Sequence, residues 1–227
     1  MGSGGTLDTQ GFASKDSGRV SIVGNVGNFV ICYRNLFHLN RRIFLAIPLP
    51  ADLISIIYDA QKAILKVDRN IIAVPVDQLC IKLHHLNSVP EKDYLLLIPK
   101  LKELVKSMQP FTVNIAFLET RYNRHDKSQV LLNLKMDDSF RQISMDIATV
   151  LDKHELFQPR RIFPELTIAH VLREDPTQVK HILSEIDKIE IEQVADLTVN
   201  KFVLIEELWS KKGIFLRVDS QLPLSKI

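Results

Sequence analysis

The chain has 227 residues, 46% apolar and 25% charged, with a formal net charge of +2. A chain of this size buries roughly 70% of its unfolded surface without staples, holds no run of about 18 apolar residues for a membrane span, and is too weakly charged to demand a polyanionic partner, although a local basic patch stays open. Cys32 and Cys80 show no CxxC or metal-ligand spacing, so the default is a reduced compartment with no metal and no cofactor.

Residues 1–41 read as a tail, with Gly-Ser-Gly-Gly near the start and only a weak apolar stretch from Phe29 to Phe37. Few acids (Asp8, Asp16) beside Arg19 and Arg34 leave open an organellar targeting peptide, or an extension from a vector or gene model. The compact apolar segment of a secretory signal is missing. The expected location is therefore cytoplasmic, with organellar targeting as the alternative.

Regular punctuation starts at Arg42. Ile43 to Ile47 reads as a strand stopped by Pro48 and Pro50. Leu53, Ile56, Ile57, Ala60 and Ile64 recur at helical spacing, which predicts a helix from Ala51 to about Lys66. A short strand, Ile71 to Val74, leads to a longer one, Leu79 to Leu86. Leu97, Leu101, Leu104, Val105 and Met108 then mark a helix with Pro99 in its first turn and Pro110 at its close. Phe111 to Leu118 and Val130 to Met136 predict a hairpin across the polar turn 121–128. Asp138 or Ser139 is expected to cap a helix carrying Phe140, Ile143, Ile147 and Leu151. Another strand, Glu165 to Val171, precedes a helix opened by Asp175-Pro176. Two strands, Val194 to Ile205 and Gly213 to Val218, close the chain around a turn at 206–212. Intermixed strands and helices with hairpins make an α+β chain.

Two stretches line up residue for residue: Cys80-Ile-Lys-Leu-His-His-Leu86 and Glu165-Leu-Thr-Ile-Ala-His-Val171. Alternate strand side chains share a face, so Cys80, Lys82 and His84 are expected to point one way, and Glu165, Thr167 and Ala169 to do the same in the second stretch. The pairing implies a duplicated fold with a cleft between its halves.

With its flanks, this pattern resembles the two-histidine phosphoesterases, the family of 2',3'-cyclic phosphodiesterases and bacterial 2'-5' RNA ligases. The resemblance rests on Ile43-Phe-Leu-Ala-Ile-Pro-Leu-Pro50, Leu79-Cys-Ile-Lys-Leu83, Pro164-Glu-Leu-Thr-Ile-Ala-His170 and the closing Val203-Leu-Ile-Glu-Glu-Leu-Trp-Ser-Lys-Lys-Gly213. It covers the chain from about Arg42 onward, so 42–227 is taken as one such domain. The resemblance implies a bilobed fold, two similar lobes whose antiparallel sheets face a central groove with helices outside. The family's chemistry uses a histidine, an apolar residue and a threonine or serine once in each half. The histidines serve as base and acid, and the hydroxyls hold the phosphate. Here Cys80 and Glu165 occupy the histidine positions, Lys82 replaces the first hydroxyl, and Thr167 alone is kept.

The substitutions shift the expected chemistry from proton transfer toward binding. Lys82 offers a point charge to phosphate, or else neutralises Glu165 across the groove. Glu165 serves as an acid–base group only if its pKa is raised, and Cys80 as a nucleophile only if activated; otherwise it is a small residue filling the histidine's space. His84, on the polar side, and His170, at a position where many family members carry a phosphate-binding arginine, are expected to contact ligand. His85 and His170 as a relocated catalytic pair would need a bulge to reset their strand faces. Arg160, Arg161, Tyr122 and Arg124 are further candidates at the groove's rim, Trp209 reads as packed, and His125, His154 and His181 are assigned no role.

Three functions follow. One is a degenerate domain that binds RNA or a nucleotide with a terminal or cyclic phosphate without efficient turnover. The second is an active cyclic phosphodiesterase with remodelled catalysts. The third is a structural subunit with protein partners and an abandoned groove. Losing one acid or base costs about 10²- to 10⁴-fold, and both histidines are replaced, which favours the first.

Overall fold

The structure is a computed structural model that describes residues 40–124, 127–135, 137–152, 164–173, 175–191, 195–211 and 213–225, together with the strands at 22–26 and 29–33. Within the stretch expected to be a tail, Ile22–Val26 (β1) and Phe29–Tyr33 (β2) pair antiparallel, Ile22 opposite Tyr33, in a unit that ends at Leu39. The signal for it was Gly27-Asn28 between two short apolar runs. The targeting reading of residues 1–21 lies outside the described residues.

The second unit, Asn40–Ile227, carries two antiparallel sheets. Its elements are Asn40–Pro48 (β3), Ala51–Ile64 (α1), Ile71–Ala73 (β4), Cys80–Pro90 (β5), Glu91–Lys106 (α2), Phe111–Arg121 (β6), Ser128–Lys135 (β7), Asp138–Asp152 (α3), Leu166–Val171 (β8), Pro176–Ile186 (α4), Ala195–Val199 (β9), Lys201–Ser210 (β10) and Gly213–Pro223 (β11). One sheet has the order β11-β10-β3-β5 and the other β4-β8-β7-β6-β9. Two antiparallel sheets with helices between them in sequence are the α+β architecture expected from the sequence.

The helices form where apolar residues recur at three and four. In α1, Leu53, Ile57, Ala60 and Ile64 are buried, and a fully buried leucine or isoleucine contributes roughly 1.5–3 kcal/mol. Leu97, Leu101 and Val105 of α2, Phe140, Ile147 and Leu151 of α3, and Val179, Ile182 and Ile186 of α4 join one core with the inward residues of both sheets. Asp175 caps α4 by accepting from the Thr177 amide at 2.9 Å, as its sequence predicts.

Four local expectations are corrected. Pro99 lies inside α2, not in its first turn; it and Leu95, whose carbonyl loses a partner, sit on the exposed side where water can satisfy the group. Asp137, not Asp138 or Ser139, caps α3, accepting from the Phe140 amide at 2.7 Å. The run 194–205 is two strands, not one: β9 pairs with β6 and β10 with β3, so the chain changes sheet at Asn200. The turn before Gly213 is also shorter than expected, because β10 runs on to Ser210 and Gly213 enters β11 at φ 126°, a conformation glycine adopts without strain.

Candidate functional site

The two sheets meet where the duplicated stretches meet. Lys82 of β5 and Glu165, just ahead of β8, form an isolated antiparallel bridge. The Lys82 amide donates to the Glu165 carbonyl at 2.8 Å and the Glu165 amide to the Lys82 carbonyl at 2.9 Å. Directly opposed residues share a face, so both side chains point into the same space. Cys80 and Thr167 each lie two residues from this bridge, on the same strand faces as Lys82 and Glu165 respectively.

Each motif strand then carries a bulge at the equivalent residue. On β5, Leu45 pairs with His84 and Ala46 with Lys82, leaving Leu83 as the extra residue. On β8, Val130 pairs with Ala169 and Leu131 with Thr167, leaving Ile168 extra. A bulge of one residue switches the face of everything beyond it. Leu83 and His84 therefore both turn inward, as do Ile168 and Ala169, while His85 and His170 come onto the face that carries Lys82 and Thr167.

This reverses the expectation for His84. It is 1% exposed, its Nε2 lies 3.5 Å from Ser144 Oγ of α3, and burial pushes its imidazole down to about 4. It is a neutral core residue and does not reach a ligand in the groove. His85 takes the groove position, at 5.5 Å between ring centroids from Phe44. Its edge is exposed, yet desolvation first and the Lys82 charge second hold it below the usual imidazole range, with Glu207 and Glu165 opposing.

The bulges remove the parity objection to a His85–His170 catalytic pair, and the bridge raises a stronger one. Because the strands run antiparallel from Lys82 and Glu165, the two histidines travel outward in opposite directions. At about 3.3 Å per residue they end on the order of 20 Å apart, too far to serve one phosphorus.

Cys80 is buried among Phe44, Ala46, Val203 and Ile205, a small apolar cluster on the groove side of the first sheet. Desolvation pushes its thiol up to about 11, against a lowering by Lys82, and a protonated thiol is a poor nucleophile. Glu165 is held by the Arg121 guanidinium of β6, which also lies 3.7 Å from Glu119. Among the described residues no carboxylate lies within ion-pair reach of Lys82, whose ammonium sits over the Phe44 ring at 5.0 Å. Arg121, missed from sequence because it stands 44 residues away, thus takes the role that neutralisation had assigned to Lys82. Thr167 and His170 are half-buried on the groove side.

Trp209, expected to be packed, is 63% exposed, with the Arg42 guanidinium 5.0 Å from its ring. Tyr122 and Arg124 are exposed, Tyr122 beneath Lys180 at 5.5 Å, and His181 is exposed on α4. Arg160, Arg161, His125 and His154 lie outside the described residues. Among the described residues no group of three or more His, Cys, Asp or Glu is placed to hold a metal ion, and no helix is long and apolar enough to cross a membrane.

The fold is found in solved structures. Apo E. coli LigT superposes with a TM-score of 0.63 at 15% identity over 82% of this chain and 99% of its own. TT0787 of Thermus thermophilus gives 0.61 at 19% identity, over 81% and 97%. The chain has the LigT fold. A structure described as a phosphoesterase agrees as well, at 0.60 and 15% identity over 82% of this chain and 99% of its own. LigT has also been solved in complex with NADP+, ATP, 3'-AMP and phosphate. No family model and no curated protein matches the sequence itself.

Proposed function

We propose that the groove binds a nucleotide phosphate, such as the terminal or cyclic phosphate of an RNA, between Lys82 of one lobe and Thr167 of the other, without efficient turnover. The observation that carries this reading is the division of charge at the Lys82–Glu165 bridge. Arg121 engages the carboxylate, which leaves the ammonium over Phe44 as a cation on the groove side, where Thr167 supplies a hydroxyl from the other motif. A point charge with a neutral donor suits a phosphate dianion, and His170 on the same face adds a further polar group. That LigT, with the same fold, has been solved with 3'-AMP and with phosphate supports a phosphate ligand for this groove.

The same groups argue against an active phosphodiesterase. Proton transfer needs a base and an acid poised near neutrality. At the two histidine positions stand a thiol pushed to about 11 and a carboxylate engaged by an arginine. The test is a titration of the full chain with a short RNA bearing a 3'-terminal phosphate, at two salt concentrations. Lys82→Ala is expected to weaken binding at least tenfold and to flatten the salt dependence. Unchanged affinity in that variant contradicts the reading and favours a scaffold whose groove is unused.

A further inference from the structure

On the first sheet, beyond the bulge at Leu83, Arg42, Ile43, His85, Ser88 and Glu207 line a pocket of about 230 Å3. Strand alternation from Val203 and Ile205, both in the groove-side cluster, puts Glu207 and Trp209 on the same face. Glu206, facing the other way, is held by Arg41 at 3.6 Å and by Arg217. Glu207 differs: among the described residues no cation lies within ion-pair distance of it. Beside it the Arg42 guanidinium lies over the exposed Trp209 ring. The pocket therefore offers a carboxylate acceptor at its wall, and Arg42 of its lining carries the exposed Trp209 indole against its guanidinium.

Resting on the phosphate reading above, we infer that this pocket is a nucleobase subsite and that it selects guanine. A base stacks on indole or guanidinium planes, and His85 stands three residues from Lys82, roughly 7–10 Å at strand rise, the reach of one nucleotide from phosphate to base. A carboxylate needs donors. Guanine presents two adjacent ones, N1–H and the N2 amino group, which a carboxylate accepts side by side; adenine and cytosine present one amino group. Uracil presents a single N–H flanked by two carbonyl oxygens that the carboxylate repels. Such paired hydrogen bonds discriminate strongly between bases.

Trp209 is the only tryptophan in the chain, so its fluorescence reports on this pocket directly. The full chain is titrated with inorganic phosphate, 3'-GMP and 3'-UMP, following both calorimetry and Trp209 emission. The expected result is saturable quenching by 3'-GMP, at least roughly tenfold tighter binding than for 3'-UMP, and phosphate binding without quenching. Glu207→Gln is expected to bring 3'-GMP close to 3'-UMP with phosphate affinity unchanged. Trp209→Ala, at an exposed position, is expected to weaken both nucleotides by calorimetry and leave phosphate as it was. Equal binding of the two nucleotides, or a guanine preference that survives both variants, overturns the subsite while the phosphate reading stands. Failure of phosphate and both nucleotides to bind overturns the phosphate reading and this inference with it.

Discussion

The side chain of Gln61, 3% exposed in α1, donates to the carbonyl of Ile168 at 2.8 Å and to that of Val74 at 2.9 Å. Ile168 is the extra residue of the second motif's bulge, where ladder pairing is interrupted. The Val74 amide adds a second bond to the same carbonyl at 2.8 Å. A buried glutamine in an otherwise apolar helix face thus holds the irregularity that turns His170 toward the groove.

Replacing Gln61 by leucine should therefore cost about 1–3 kcal/mol, because the part-buried Val74 carbonyl loses its side-chain donor while the Ile168 carbonyl keeps the Val74 amide. Urea denaturation measures it. Amide exchange at Thr167 to His170 should rise before global unfolding, and a variant as stable and as protected as the wild type would show that the clamp contributes nothing.

His84 predicts a pH effect on stability. Its folded pKa of about 4 lies below its ordinary value of 6.5, so below pH 6.5 the unfolded chain binds the extra proton. The stability contributed by burying a neutral ring is complete above about 6.5 and is lost as pH falls toward 4. The full effect is on the order of 3 kcal/mol. His84→Gln, compared with wild type by thermal melts at pH 7 and pH 4.5, should lose less stability over that interval. Parallel losses in the two proteins would mean that the imidazole is not buried in its neutral form.

Cys80 should be slow to alkylate. With its thiol near 11 instead of 9.0, its thiolate fraction at pH 8 falls about a hundredfold below that of an ordinary cysteine, since the thiolate is the reacting species. Iodoacetamide labelling read peptide by peptide separates Cys80 from Cys32. Labelling faster than in a free peptide would reveal an activated thiol and reopen a nucleophilic role.

Much of the fold was legible because burial imposes period. The α1 and α4 helices and the hairpin of β6 and β7 follow from spacing that serves a single core. What escaped depends on contacts made at a distance. A bulge leaves no mark in a run such as Lys82-Leu-His-His85, since each residue suits either face until the partner strand sets the register. His84 and His85 were exchanged for that reason. The Arg121–Glu165 pair joins the end of β6 to the residue just ahead of β8, two segments that flank β7 only through the sheet order. The break at Asn200 was hidden because both segments are strands, and only pairing with β6 and β3 separates them. The exposure of Trp209 was misread because β10 and β11 run on together beyond the last pair of β10 with β3, Glu206 with Ile43, and apolar composition alone reads as burial.

The central claim is that this groove holds phosphate without acid–base turnover, and one measurement tests it most directly. The full chain is incubated with short RNA ending in a 2',3'-cyclic phosphate, the end group is followed, and a histidine-containing two-histidine phosphoesterase serves as positive control. The account predicts saturable binding that Lys82→Ala removes, with the cyclic end intact. Opening of the ring to a 2'-phosphate, abolished by Glu165→Ala, would contradict it and identify Glu165 as a working catalyst.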